Sequence, residues 1–411
     1  MSIWMHSWLG WVSPRPIKRD TENGKTRVLL VLNDMAWFWS HRLPLAKGII
    51  DKGWRVGIAG HDASSDTGLA DRHMQPFDLP ELRSSKNPIE HLSIVWAIYQ
   101  HIKKHKPAVV HGITIKYAFY VGLATRITPH VAVVFTIAGL GSLYSSDTRK
   151  MRIARSIVTP FLKIAFSGKN RFVIFQNPDD MSLWLSQKIV RSENCTLIKG
   201  SGVDLMEFPY RPEPNTDNET IVLFASRLLI QKGILDFIKV AESLRKMNGA
   251  SFRFVVAGNT IGNDSRYISE EVLKRAQQAG VIEWLGSVSN VRDVIRQSSI
   301  VVLPSYYGEG LPKILLEAAA SGRPMVAYNV PGSREIVRDN VNGYLVPCND
   351  LQQLADAIKK LALDRSLRQT FGLAARSTVE DEFHTDLVVG NTLAFYDEVL
   401  ARTKLARTSV G

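Results

Sequence analysis

The feature that most limits what this chain can become is a rhythm. Short apolar, β-branched runs alternate with helical patterns over nearly its whole length, and one polar stretch interrupts them. Such alternation is the signature of parallel strands joined by crossover helices. In the first half the strand runs are 28–33, 55–59, 108–111, 131–136, 172–176 and 196–199. A Pro-containing stretch over 206–219 then breaks the pattern and reads as an interdomain linker. The rhythm restarts at 221–226, 252–257, 282–285, 300–304, 325–328 and 344–346. The expected architecture is α/β: two Rossmann-like, doubly wound parallel-sheet domains, 25–205 and 220–385, facing a cleft, with an N-terminal tail over 1–24 and a C-terminal helix and tail over 386–411. The final helical pattern, 387–405, is amphipathic and suits a place on either unit. Open parallel sheets take ligands beyond the carboxyl ends of their strands, so residues that follow strands are the ones to weigh.

The most informative such segment is Ser305 to Glu317, SYYGEGLPKILLE, which reads as a strand end, a glycine-rich turn and a helix. Pro312 suits a first helical turn, leaving the N–H groups of Gly310 and Leu311 to face an anion. Glu309 on the turn and Glu317 two helical turns later can each accept from vicinal sugar hydroxyls. The plain alternative is one surface and one helix carboxylate. Ser226 to Gly233, SRLLIQKG, also follows a strand. There Arg227 offers a planar fork and Lys232 a point charge, a pair suited to a diphosphate, or equally to a solvated βα loop. Glycines after other strands, at Gly258, Gly286 and Gly332, allow close backbone approach, as ordinary turns also require.

Taken together these residues resemble the glycosyltransferases of the two-domain GT-B architecture, and within them glycosyltransferase family 4, over about residues 27–400. The marks are Glu309-x7-Glu317, Arg227 with Lys232, Gly202-Val-Asp204, Gly332-x-x-Glu335-Ile-Val and Asn342-Gly343. The resemblance implies a nucleotide-sugar donor bound mainly by the C-terminal domain, retention of anomeric configuration and no metal. It also implies donor contacts from Arg227, Lys232, Gly258, Glu309, Gly310, Leu311 and Glu317. Arg227 and Lys232 would hold the diphosphate, Glu309 the transferring sugar and Glu317 the ribose. Glu309, Arg227 and Lys232 are thereby the expected catalytic set. No two aspartates stand as Asp-x-Asp, the usual ligand pair of the metal-dependent alternative architecture. Many relatives carry a histidine after the fourth strand, where this chain has Phe135-Thr-Ile-Ala-Gly-Leu-Gly141.

Acceptor-side candidates follow the first-half strands: Ser40, His41 and Arg42, then His111 and Lys116. A core or interfacial role for Trp37 and Trp39, with His41 hydrogen-bonded nearby, competes with that reading. The net charge of +12 is confined to this half, where residues 1–200 hold 27 Lys+Arg against 14 Asp+Glu. Such asymmetry points to a polyanionic partner. Within it, residues 149–171 carry seven Lys/Arg and no acid among apolar residues. Arg149, Lys150, Arg152, Arg155, Phe161, Lys163 and Phe166 are the expected contacts to an anionic membrane surface; an ordinary amphipathic helix packed on its own sheet is the alternative.

The only cysteines, Cys195 and Cys348, match no metal spacing and suggest a reducing compartment. The first twenty residues lack leading cations and a small-residue cleavage site, and no apolar run reaches the ~18 residues that span a bilayer. The expected location is therefore cytoplasmic, peripheral at the inner face of the cell membrane. Ser40-His-Arg-Leu-Pro44 and Ala138-Gly-Leu-Gly141 look most like family members that add a hexose or N-acetylhexosamine, from a UDP-sugar, to a polyprenyl-diphosphate-linked saccharide in surface polysaccharide assembly. A nucleotide-sugar hydrolase or epimerase of the same fold would turn over donor alone. A basic nucleic-acid-binding module would need stacking aromatics in the patch, which offers Phe161 and Phe166; no nucleic-acid partner is expected.

Overall fold

The computed structural model describes residues 27–81, 87–128, 131–141, 144, 148–214, 219–246, 251–261, 264–306 and 308–408. The N-terminal tail lies outside them. The first domain is a seven-stranded, all-parallel sheet of β1 (Arg27–Val31), β2 (Arg55–Gly60), β3 (Gln75–Asp78), β4 (Val109–Ile113), β5 (Ala132–Ile137), β6 (Arg171–Phe175) and β7 (Cys195–Leu197), in the order 3-2-1-4-5-6-7. The second is a six-stranded parallel sheet of β8 (Glu219–Ala225), β9 (Ser251–Ala257), β10 (Glu283–Trp284), β11 (Ile300–Leu303), β12 (Met325–Tyr328) and β13 (Gly343–Val346), in the order 10-9-8-11-12-13. Central strands are apolar on both faces because helices cover both sides, as β4, β5 and β6 show.

Every expected strand is present, and β3 is added. Its sequence, Gln-Pro-Phe-Asp, contains a proline, which an edge strand tolerates because one side of its backbone makes no ladder bonds.

The chain crosses between the domains at two adjacent points. Val203 N–H donates to Phe383 O at 2.9 Å, and Thr385 N–H returns to Val203 O at 3.1 Å. Beyond the second crossing, the helix Thr385–Thr408 packs on the first domain, burying Val388, Phe395, Tyr396 and Val399 with strand residues of β1, β4 and β5. The polar stretch after the first crossing is strapped to the second domain. Phe208 is buried there, Arg323 Nη1 donates to Arg211 O at 2.7 Å, and Glu213 pairs with Arg368 at 2.8 Å.

The structure overturns one sequence expectation about the basic helix. Phe166 is no interfacial residue: it is buried against Phe135 and Trp184, with ring centroids 4.6 and 4.9 Å away. Phe161, five positions earlier on the same helix, is exposed, because five residues turn a helix by about 140°. The aromatic pair that a nucleic-acid reading needs is therefore not available on one face.

Candidate active site

In the second domain β8 ends at Ala225, and the chain turns through Arg227 and a short 3-10 segment, Ile230–Lys232, into the helix Ile234–Leu244. Tyr306 N–H donates to Gln231 O at 3.1 Å, tying this turn to the one that follows β11. That second turn carries Glu309, whose carboxylate forms an ion pair with Lys232. Ser305 Oγ lies 3.0 Å from the other Glu309 oxygen and fixes its direction. The N–H groups of Gly310 and Leu311, beside that pair, donate to no described residue. Pro312 stands one place earlier than expected, as the N-cap of helix Lys313–Ala320.

Glu317, one turn into this helix, is buried, and burial pushes its carboxyl up to about 7. Its closest cation is Lys313 at 3.5 Å, which acts against that shift without cancelling it. Lys313 also donates from Nζ to Ser40 O of the first domain at 2.8 Å. It was not singled out from sequence, although its place at the head of a cleft-facing helix was the available signal.

The first domain meets this site with the segment after β1. Asp34 caps helix Met35–His41 by accepting from Trp37 N–H at 2.9 Å. His41 stacks on Trp37 at 4.9 Å, with its Nδ1 2.6 Å from Ser40 Oγ. Burial, then the positive charges of Lys313, Arg42 and Arg227, lower the His41 pKa to about 3. These effects hold His41 neutral near pH 7, and Lys313, hydrogen-bonded to the neighbouring Ser40 O at 2.8 Å, brings the second domain up to it. Arg42 is buried, its Cζ lies 5.3 Å from the Trp37 ring centre, and its Nε has no hydrogen-bond partner among the described residues. Lys116 is exposed at the start of helix Ile115–Ala124, just past β4.

His111 does not belong to this group. It is fully buried in β4, with Nδ1 2.6 Å from Tyr396 Oη and Nε2 2.7 Å from Thr136 Oγ1. Both ring nitrogens are used inside the first domain, so His111 meets no acceptor; it ties the C-terminal helix to the sheet.

The domains also touch through glycine turns. Gly141 N–H donates to Gly308 O at 3.2 Å, and a Cβ at Gly139, where φ is +93°, would lie 2.5 Å from the same oxygen. Asn177, the cap of helix Pro178–Ser186, reaches Gly310 O at 3.5 Å, and Asp179 pairs with Arg334 at 3.4 Å. The stretch that takes the place of the missing histidine thus supplies close backbone contact. Arg227, Lys232, Glu309, Gly310, Leu311, Glu317, Ser40 and His41 come together at the interdomain face; Gly258 sits at the end of the neighbouring β9, its N–H bonded to Gly286 O at 2.8 Å.

Residues 27–177 match the family described as glycosyl transferase 4-like, and residues 208–378 match glycosyl transferases group 1. A Campylobacter jejuni protein named N,N'-diacetylbacillosaminyl-diphospho-undecaprenol alpha-1,3-N-acetylgalactosaminyltransferase is 25% identical, over 89% of this chain and 96% of its own length. An Escherichia coli UDP-Gal:alpha-D-GlcNAc-diphosphoundecaprenol alpha-1,3-galactosyltransferase is also 25% identical, over 73% of this chain and 78% of its own. Among solved structures, sucrose-phosphate synthase from Thermosynechococcus elongatus superposes with a TM-score of 0.75 at 18% identity, covering 92% of this chain and 100% of that one. Anabaena HepE in complex with UDP superposes with a TM-score of 0.70 at 17% identity, covering 91% and 100%.

Proposed function

Since this chain belongs to the two-domain GT-B glycosyltransferases, we propose that it moves a hexose or N-acetylhexosamine, with retention, from a UDP-sugar to a polyprenyl-diphosphate-linked saccharide in surface polysaccharide assembly. The observation that carries this reading is the Lys232–Glu309 pair beside the amides of Gly310 and Leu311, which donate to no described residue. A diphosphate needs cations and N–H donors; a sugar hydroxyl needs a carboxylate. When the diphosphate takes the charge of Lys232, Glu309 is freed for the sugar. Arg227 adds a fork of donors to the phosphates, and buried Glu317 accepts from the ribose.

The reaction is read as a front-face displacement. The bond from the anomeric carbon to the diphosphate oxygen breaks, an oxocarbenium-like centre forms, and the acceptor hydroxyl attacks from the same face. The departing phosphate oxygen takes the hydroxyl proton. Preorganised cations and N–H groups act where that negative charge develops, which supports transfer without a metal. His41 and Ser40 face the acceptor from the first domain, with Lys116 further along the same edge.

The acceptor class is supported by the two relatives whose names specify undecaprenol-diphosphate saccharides, and the UDP donor by the neighbour solved with UDP. Among the described residues no helix is long and apolar enough to cross a membrane. The basic helix Arg149–Phe166, with Phe161 exposed, supports a peripheral hold on an anionic bilayer, on its inner face.

The test is incubation with defined lipid-linked acceptors and a panel of nucleotide sugars, followed by mass analysis of the lipid. A lipid heavier by one hexose or N-acetylhexosamine is expected. Consumption of donor with no change in the lipid would instead identify a hydrolase or epimerase.

A further inference from the structure

The helix Pro88–His105 has no part in the site, yet it carries one of the most exposed apolar rows of the molecule. Ile89, Leu92 and Trp96 are 72%, 62% and 60% exposed. Their spacing puts them on one side of the helix, roughly opposite Ile94, Ile98 and Ile102, which are buried in the domain core. The basic helix Arg149–Phe166 repeats the arrangement. Ile153, Ile157, Phe161 and Ile164 form an exposed row about 16 Å long, while Leu162, Ala165 and Phe166 are buried.

The two helices flank the same neighbour, Ile115–Ala124, and cover one face of the first sheet. Each follows a strand of a parallel sheet and runs back against it, so each begins at the carboxyl edge of the strands, where the cleft lies. Both rows therefore start beside the cleft.

We infer that helices Pro88–His105 and Arg149–Phe166 together form a platform that seats the first domain on an anionic lipid bilayer, with the mouth of the cleft at the bilayer surface. Charge selects this occupant. Arg149, Lys150, Arg152 and Lys163 are exposed beside the second row, and that helix has no acidic residue. A second copy of the chain would set these cations against themselves, whereas anionic headgroups neutralise them while the two rows enter the headgroup boundary. The consequence concerns the acceptor: a saccharide held by its lipid reaches the cleft along the bilayer plane. The inference rests on the lipid-linked acceptor proposed above and adds Pro88–His105, to which no role was given.

The test is co-sedimentation of the full chain with vesicles of phosphatidylcholine alone and of an equal mixture of phosphatidylcholine and phosphatidylglycerol. Binding to the mixed vesicles is expected, weakened by salt. I89S/L92S/W96S, I153S/I157S/F161S and R149E/K150E/R152E should each weaken it about tenfold or more, since the first two remove most of one inserting row and the third its headgroup contacts. All three alter exposed side chains, so circular dichroism and unfolding midpoints should match the unaltered chain. Transfer to a short-chain, water-soluble acceptor should persist in all three. Unaltered binding by I89S/L92S/W96S, or equal binding to both vesicle types, overturns the inference. So does a dimer, dissociated by these substitutions, that binds no vesicle. Transfer without vesicle binding sinks the platform and leaves the proposed function standing; vesicle binding with no transfer to any lipid-linked acceptor does the reverse.

Discussion

Lys232 and Glu309 are both more than four-fifths buried at their side chains, so neither can lose the other without another partner of opposite charge. Lys232→Ala should therefore lower kcat about a hundredfold or more while the far-UV spectrum is unchanged, and Glu309→Gln should do the same; steady-state kinetics with the preferred donor read both. Glu317 makes a pH prediction. Its carboxyl titrates at about 7 in the fold against 4.5 ordinarily, so between those values the folded state binds more protons than the unfolded. Its contribution to stability is full below about 4.5 and is lost as pH rises through 7. Glu317→Gln should remove this component, so that Tm falls less, or rises more, with pH across that window than in the unaltered chain. Asp180, whose carboxyl is raised to about 6 by burial, pulls in the same direction as Glu317, while His41 and His111, both lowered by burial, pull in the opposite one. The ribose hydroxyls favour the charged form, so donor KM should rise as pH falls below 7, and less so in Glu317→Gln. These donor-side residues were legible because a turn after a strand exposes what it carries. His111 misled because it was placed by its nearness to a strand end. It lies mid-strand, on the face with Val109 and Ile113 that packs against the C-terminal helix, and alternation sends its ring into that layer.

At the scale of elements, the strands were readable because two-sided burial requires unbroken apolar runs, and β3 was not because four residues with Pro76 carry too little of that signal. Helix Thr385–Thr408 was readable as a helix but not as to its partner: an amphipathic face states that something is covered, not what covers it. The structure supplies the partner in Tyr396, whose hydroxyl meets buried His111. Tyr396→Phe should leave one imidazole nitrogen without a partner and lower unfolding free energy by about 1–3 kcal/mol, measured by urea denaturation. The basic helix was legible in charge and apolar content, yet its faces were not separable from sequence: Phe161 points outward and Phe166 inward.

At the scale of the whole molecule, the two domains meet through backbone as much as through side chains, and this sequence could not show it. Ala138-Gly-Leu-Gly141 stands out as glycine-rich, but only the fold reveals that it packs on the turn holding Glu309. Gly139→Ala would set a methyl group against Gly308 O at a backbone angle few other residues adopt. It should keep the bare nucleoside diphosphate bound, since Arg227 and Lys232 are untouched, and lose transfer; calorimetry and turnover on one preparation separate the two. The account as a whole turns on whether the diphosphate departs only when a lipid-linked hydroxyl is there to replace it. Single-turnover release of UDP from the preferred UDP-sugar, followed with and without polyprenyl-diphosphate saccharide, measures this directly. The account predicts one UDP per lengthened lipid, none without acceptor and little from Lys232→Ala; equal release in the absence of acceptor, or undiminished release from Lys232→Ala, would contradict it.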